Sequence, residues 1–197
     1  MVIKRVKILV LFIGIYCLMT IFFGCVLTNK NVRDTNDVEL FNVTLKTTQT
    51  QKYCGGAPPP AEIYEDQYRK KVYPNVKVYI RKGETNNFTE KPFKVITTDT
   101  LGIANIELPA DNYVFVFEYK SSSKKYKKLI ESIEKTKEFR DLDKGCLKRF
   151  FEQPDGSLTV SGQKLDTVFL NRSFKCPWTE IPCVTYIGDL PPSIRDY

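Results

Sequence analysis

Apolar and polar residues alternate most regularly over residues 93–119, FKVITTDTLGIANIELPADNYVFVFEY. Residues 93–97 are rich in β-branched and aromatic side chains, as a half-buried strand requires. Asp99, Thr100, Leu101 and Gly102 then predict a turn, because Asp can bond the backbone ahead of it and Gly can take a positive φ. From there Ala104, Ile106 and Leu108 alternate with Ile103, Asn105 and Glu107, a period of two that predicts a strand with one buried face. A second turn falls at residues 109–112. Beyond it Tyr113, Phe115, Phe117 and Tyr119 share one face, with Val114 and Val116 on the other. This strand is expected inside a sandwich, apolar on both sides.

Residues 39–48, through Leu40, Val43 and Leu45, and residues 76–83 (VKVYIRKG) predict two earlier strands, and residues 157–160 and 166–174 two later ones. Helical spacing occurs three times. Over residues 61–71, Ile63, Tyr64 and Tyr68 recur with acids early and bases late, as the helix dipole favours. Over residues 122–137 the face is Tyr126, Leu129, Ile130 and Ile133. Over residues 141–152 it is Leu142, Cys146, Leu147, Phe150 and Phe151, closed by a turn at Pro154-Asp155-Gly156. Lys120, Lys124, Lys125, Lys127 and Lys128 are expected to form a solvated face, and acidic glycans or lipid head groups are the other partners such a run could hold. The pattern as a whole is mainly β, an antiparallel sandwich with two or three added helices.

Thr98-Asp99, Gly102, Leu108-Pro109-Ala110 and Tyr113 resemble the signature of carboxypeptidase regulatory-like domains, which are transthyretin-like β-sandwiches. The resemblance runs from Val76 to about Lys120 and departs from the family at Asp111, where Gly is usual. There it implies an Asp held in the left-handed region under some strain. It implies a fold and no activity, because such domains are generally non-catalytic accessory or binding modules.

The amino terminus carries Lys4, Arg5 and Lys7, then an apolar run over residues 8–23, then Gly24-Cys25, as an export signal does. Phe22-Phe23-Gly24-Cys25 resembles the lipobox of bacterial lipoproteins, which implies cleavage before Cys25, acylation of that cysteine and a membrane anchor made of lipid. Val26 after the cysteine fits sorting to the outer membrane. An uncleaved anchor remains open, because the apolar run extends to Thr28, and so does ordinary cleavage. All three place the rest of the chain outside the cytoplasm. The expected organisation is therefore a signal peptide at 1–24, a polar tether at 25–38 and one sandwich domain at 39–197, with the regulatory-like core at about 76–120.

Composition then narrows the chemistry. Loss of the first 24 residues lowers the formal net charge from +7 to about +4, too mild for a nucleic-acid partner. The chain has no histidine, which excludes Ser-His-Asp and Cys-His catalysis and the His-based zinc and iron sites. No glycine-rich phosphate loop is present. Asp141, Asp143 and Glu152 fall at positions of a calcium loop, but Gly145, Cys146 and Arg149 occupy positions that such a loop needs for other residues. No metal or cofactor is expected. The sequons at Asn42, Asn87 and Asn171 are chance matches in a bacterial lipoprotein.

Cys54, Cys146, Cys176 and Cys183 lack the spacing of a zinc ribbon and in an exported domain imply two disulfides. Three connectivities are possible. Cys176–Cys183 closes the shortest loop at least entropic cost, which leaves Cys54–Cys146, and this is the expected pairing. Trp178 and Tyr186, in a Pro-rich tail tied by cysteine, are candidate contacts for a partner, packing onto the domain being the other role open to them. The expected function is a non-catalytic binding or assembly module of the cell envelope with an envelope protein as partner. Direct polysaccharide binding is the alternative, and a small carboxylate-dependent hydrolase a third reading.

Overall fold

The computed structural model describes residues 39–54, 61–162 and 166–189. The expected signal peptide, lipobox with Cys25 and tether, the segment 55–60 and the last residues of the chain lie outside the described residues. Ten strands occur among those described: β1 Leu40–Gln51, β2 Lys71–Val72, β3 Lys77–Lys82, β4 Lys94–Thr97, β5 Ile103–Pro109, β6 Asp111–Phe117, β7 Phe139–Arg140, β8 Gly156–Val160, β9 Asp166–Phe174 and β10 Thr185–Tyr186. The helices are α1 Ala61–Tyr68, α2 Ser123–Lys135, α3 Lys144–Glu152 and the single turn α4 Pro177–Glu180, with a 3₁₀ turn at Glu118–Lys120.

Two sheets form the sandwich. In the first, β1 is central, with β9 along one side and β5 followed by β2 along the other. The second has the order β4-β3-β6-β8. Val43 and Leu45 of β1, Ile106 and Leu108 of β5 and Val168 and Leu170 of β9 meet Val78 and Ile80 of β3 and Tyr113, Phe115 and Phe117 of β6 in one buried core. Each strand turns alternate residues inward, so the period of two in the sequence becomes this core. Burying each such aliphatic or aromatic side chain is worth about 1.5–3 kcal/mol.

One pairing departs from the antiparallel expectation. β9 runs parallel to β1, from Val43 opposite Asp166 to Gln51 opposite Phe174. Parallel neighbours need a long crossover, and here the whole of the domain between β1 and β9 supplies it.

The turns carry out what their residues allow. The Asp99 carboxylate accepts from the backbone N–H groups of Leu101 and Ile103, each at 2.8 Å. Gly102 has φ +71°, and a Cβ there would lie 2.6 Å from the Thr47 carbonyl of β1, so both conformation and space require glycine. The strain expected at Asp111 is absent, and that expectation is corrected. Asp111 is not among the residues of positive φ. It starts β6, its carboxylate accepts from Asn112 N–H at 2.8 Å and it pairs with Lys82 at 3.0 Å. A residue already in extended backbone needs no glycine.

A second, smaller core is built by the helices. Ile133 of α2 and Leu147 and Phe151 of α3 close over Phe88 from the β3–β4 connection. Ser122 and Asp143 cap the two helices through their side-chain oxygens. Asp143, one of the three acids of the calcium-loop pattern, is thus a helix cap. Among the described residues no cluster of three or more His, Cys, Asp or Glu could hold a metal.

The disulfides are Cys54–Cys176 and Cys146–Cys183, so the expected pairing is corrected. Loop length ranks closures of a flexible chain, whereas the fold decides which sulfurs meet. β1 and β9 run side by side in the same direction and end together, which sets Cys54 beside Cys176 with Cα atoms 5.5 Å apart. Cys146 on α3 lies against the segment after α4, where Asp143 N–H also donates to the Cys183 carbonyl at 3.0 Å.

Candidate functional site

A groove opens where β9 runs past the sandwich core. Val168 and Leu170 face inward, and the next inward positions are Arg172 and Phe174. Tyr119 enters from the 3₁₀ turn after β6, Tyr73 from the residue after β2 and Lys125 from the start of α2. A hollow of about 500 Å³ is lined by Tyr73, Phe117, Tyr119, Lys125, Arg172 and Phe174, among others. A second, of about 410 Å³, shares Tyr119, Lys125 and Arg172 with the first and continues to Lys128, Leu129 and Phe150.

The Arg172 guanidinium lies 3.7 Å from the centre of the Tyr119 ring and 5.3 Å from that of Phe174. A cation over aromatic faces is held there by the ring quadrupoles. Arg172 also faces Glu180 at 3.6 Å. Lys125 donates to Glu118 at 2.9 Å, and this hydrogen bond, with the lysine's charge, holds the Glu118 carboxyl below its ordinary range. Tyr73 stands edge-on to both Phe117 and Phe174. The groove is thus floored by aromatic rings and edged by the ion pairs Arg172–Glu180 and Lys125–Glu118 together with Lys128.

Beneath it lies a buried polar cluster. Asp155 forms an ion pair with Lys120 at 2.8 Å, the two side chains being 11% and 3% exposed. The same carboxylate accepts from Phe117 N–H at 2.8 Å and from the Tyr119 hydroxyl at 3.0 Å. Lys120 also donates to the Gln153 carbonyl at 2.8 Å and lies over the rings of Tyr119 and Phe150. Burial, reinforced by the Asp155 charge, pushes the Tyr119 phenol up. The expectation that Lys120 belongs to a solvated face is therefore corrected. Lys124, Lys127 and Lys128 are exposed, as expected.

Of the residues picked out in the sequence, all four described cysteines serve as disulfides. Tyr186 is half-buried, its ring against Phe139 and its hydroxyl donating to the Asp189 carbonyl, so it is held by the domain. Trp178 falls in α4, and its side chain lies outside the described residues. Tyr186 stands apart from the groove's lining among the described residues. Sequence reasoning missed Arg172, Tyr119 and Tyr73. A readable signal existed for Arg172, a charged residue in the inward register of a strand, where only a partner or an opening accommodates it.

The groove offers groups suited to recognition. Rings can stack against a flat apolar face, Arg172 and Lys128 can meet an anion, and no cysteine among the described residues is left as a thiol. No family model matches the chain, and no curated protein or solved structure shows significant similarity to it.

Proposed function

We propose that this chain is a non-catalytic binding module, lipid-anchored through Cys25 on the outer membrane of a bacterial envelope, that holds an acidic glycan in the Tyr119–Arg172 groove. The observation that carries the reading is the aromatic floor with Arg172 and Lys128 at its edge. Sugar rings present apolar faces that stack on Tyr and Phe, and uronate-type carboxylates suit a guanidinium. Charge placement on α2 supports it. Lys124, Lys125, Lys127 and Lys128 occupy the N-terminal half, while Glu131, Glu134 and Lys135 share the C-terminal half, so the four N-terminal lysines run against what the helix dipole favours. That arrangement costs the helix stability and gathers positive charge at the groove.

Two experiments test the proposal. The full chain, solubilised in mild detergent, is run by affinity electrophoresis through a polyuronate gel and a neutral polysaccharide gel. Retardation in the first only is expected, with Arg172→Ala and the surface variant Lys128→Glu both weakening it. Equal retardation of wild type and both variants, each measured against its own mobility in the neutral gel, overturns the groove assignment. Separately, Cys25→Ala is expected to leave the precursor unprocessed and unlabelled by a palmitate analogue, and normal processing of that variant removes the lipid anchor from the proposal.

A further inference from the structure

Among the described residues the longest open strand edge belongs to β9. The strand has nine residues, pairs only with β1 and contains neither Pro nor Gly. Natural proteins shield such edges with short strands, prolines, bulges, exposed lysines or inward-pointing charges, and of these β9 has only Asp166 and Arg172 in its inward register, away from its centre. Phe169, at its centre, is 70% exposed.

The direction of the open hydrogen-bonding groups follows from the ladder. The Phe174 carbonyl accepts from Lys52 N–H at 2.9 Å. Peptide groups alternate sides along a strand, so the even-numbered residues of β9 bond β1 and Thr167, Phe169 and Asn171 turn theirs to the open edge. The edge is complementary to itself about Phe169. Paired antiparallel with its own copy, it sets Phe169 opposite Phe169, Thr167 opposite Asn171, Val168 opposite Leu170 and Asp166 opposite Arg172. Asp166 thus comes beside Arg172 at both ends, where the guanidinium is already held by Tyr119 and Glu180, and all edge-facing peptide groups within this span find partners. A shift by one residue would set Phe169 and its open peptide groups against a residue whose own groups face β1, and would lose both matches.

The geometry points to a homodimer of this chain, formed by antiparallel pairing of β9 with β9 about a twofold axis at Phe169, so that the first sheet continues from one copy into the other. The interface is small, in the class of weak and transient contacts, and copies confined to one membrane would meet at raised local concentration. This inference rests on the strand edge and stands independently of the groove's ligand.

The test uses the full chain. Residues opposite each other in an antiparallel hydrogen-bonded pair have Cα atoms about 5.5 Å apart, within disulfide range. Phe169→Cys is expected to give a cross-linked dimer under mild oxidation, while Glu107→Cys on the far edge strand β5 is not. Adding Asp166→Lys to Phe169→Cys sets like charges opposite Arg172 and should reduce cross-linking at least tenfold at low salt. In detergent solution, light scattering should show wild type self-associating with concentration. Phe169→Pro removes an edge-facing N–H that β1 does not use and should remain monomeric with an unchanged far-ultraviolet spectrum. Equal cross-linking through Phe169→Cys and Glu107→Cys, or a wild type monomeric at about 1 mM, overturns the proposal.

Discussion

The ion pair between Lys120 and Asp155 yields the sharpest test of the structure, because its two partners are unequally supported. Asp155 receives three donors, the Phe117 N–H, the Tyr119 hydroxyl and the Lys120 ammonium. Asp155→Ala leaves all three without that acceptor and leaves a cation in a site 3% exposed. Removing one member of a buried pair costs about 3–5 kcal/mol. Lys120→Met keeps most of the side-chain volume, removes one donor of three from a carboxylate that retains two hydrogen bonds, and takes the lysine away from the Gln153 carbonyl. A lost hydrogen bond to a charged group costs about 1.5–3 kcal/mol. With a urea dependence of about 2 kcal/mol/M, the midpoint should fall by roughly 2 M for Asp155→Ala and roughly 1 M for Lys120→Met. The double variant decides the matter. Once Asp155 is gone the lysine is a buried charge without its counter-ion, so Lys120→Met in that background should be neutral or stabilising. Urea unfolding with disulfides intact, followed by both circular dichroism and tyrosine fluorescence, supplies the numbers. Additive costs, or a Lys120→Met variant less stable than Asp155→Ala, would refute the network.

Three further outcomes follow from single features. Non-reducing peptide mapping should recover Cys54 with Cys176 and Cys146 with Cys183. Replacing each pair by serine should cost about 5 and about 4 kcal/mol respectively, because the closed loops span 122 and 37 residues. Gly102→Ala should cost at least about 2 kcal/mol, since it combines φ +71° with a Cβ 2.6 Å from the Thr47 carbonyl, and a thermal midpoint equal to wild type would show that the turn is built otherwise. The phenols of Tyr119 and Tyr113 are both pushed up, mainly by burial. The native state therefore holds those protons more tightly than the unfolded chain, so the tyrosines' contribution should be flat below about pH 10 and stability should fall as pH rises above it. A thermal midpoint unchanged between about pH 9 and about pH 11.5 would contradict that burial.

The strands were legible because their signal is local. The alternation over residues 166–174 gives β9 its observed bounds, and Asp99 with Gly102 announces a turn that the structure builds from those two residues. Helix limits were legible to within a few residues, the caps Ser122 and Asp143 marking the true starts. Partners were not legible. No residue of β9 states that its neighbour is a strand more than a hundred positions earlier running the same way. The disulfide expectation failed for the same reason, since contour length describes the unfolded chain and the parallel pair decides the folded one. Lys120 misled because it adjoins a run of solvated lysines, while its partner Asp155 lies at the turn after α3 and only the fold brings them to 2.8 Å.

β9 joins the two proposals, and geometry makes them separable. Arg172 reaches the groove through its inward side chain, whereas the proposed dimer is centred on the edge-facing peptide groups of Phe169 and meets Arg172 only at its ends, beside Asp166. Three residues separate the two positions, about 10 Å along the strand. The twofold axis would therefore place the two Arg172 side chains roughly 20 Å apart measured along the strands. A polymer long enough to cross that gap can occupy both grooves at once, and the second contact is then intramolecular, so retention rises without any new contact within either copy. A single sugar acid cannot do this. Phe169→Pro should accordingly weaken retention on a polyuronate while leaving affinity for a monomeric uronate unchanged, whereas Arg172→Ala should lower both. If Phe169→Pro lowers affinity for the monomer as well, the edge and the groove form one site, and the division of β9 into an inward binding face and an outward pairing edge is wrong.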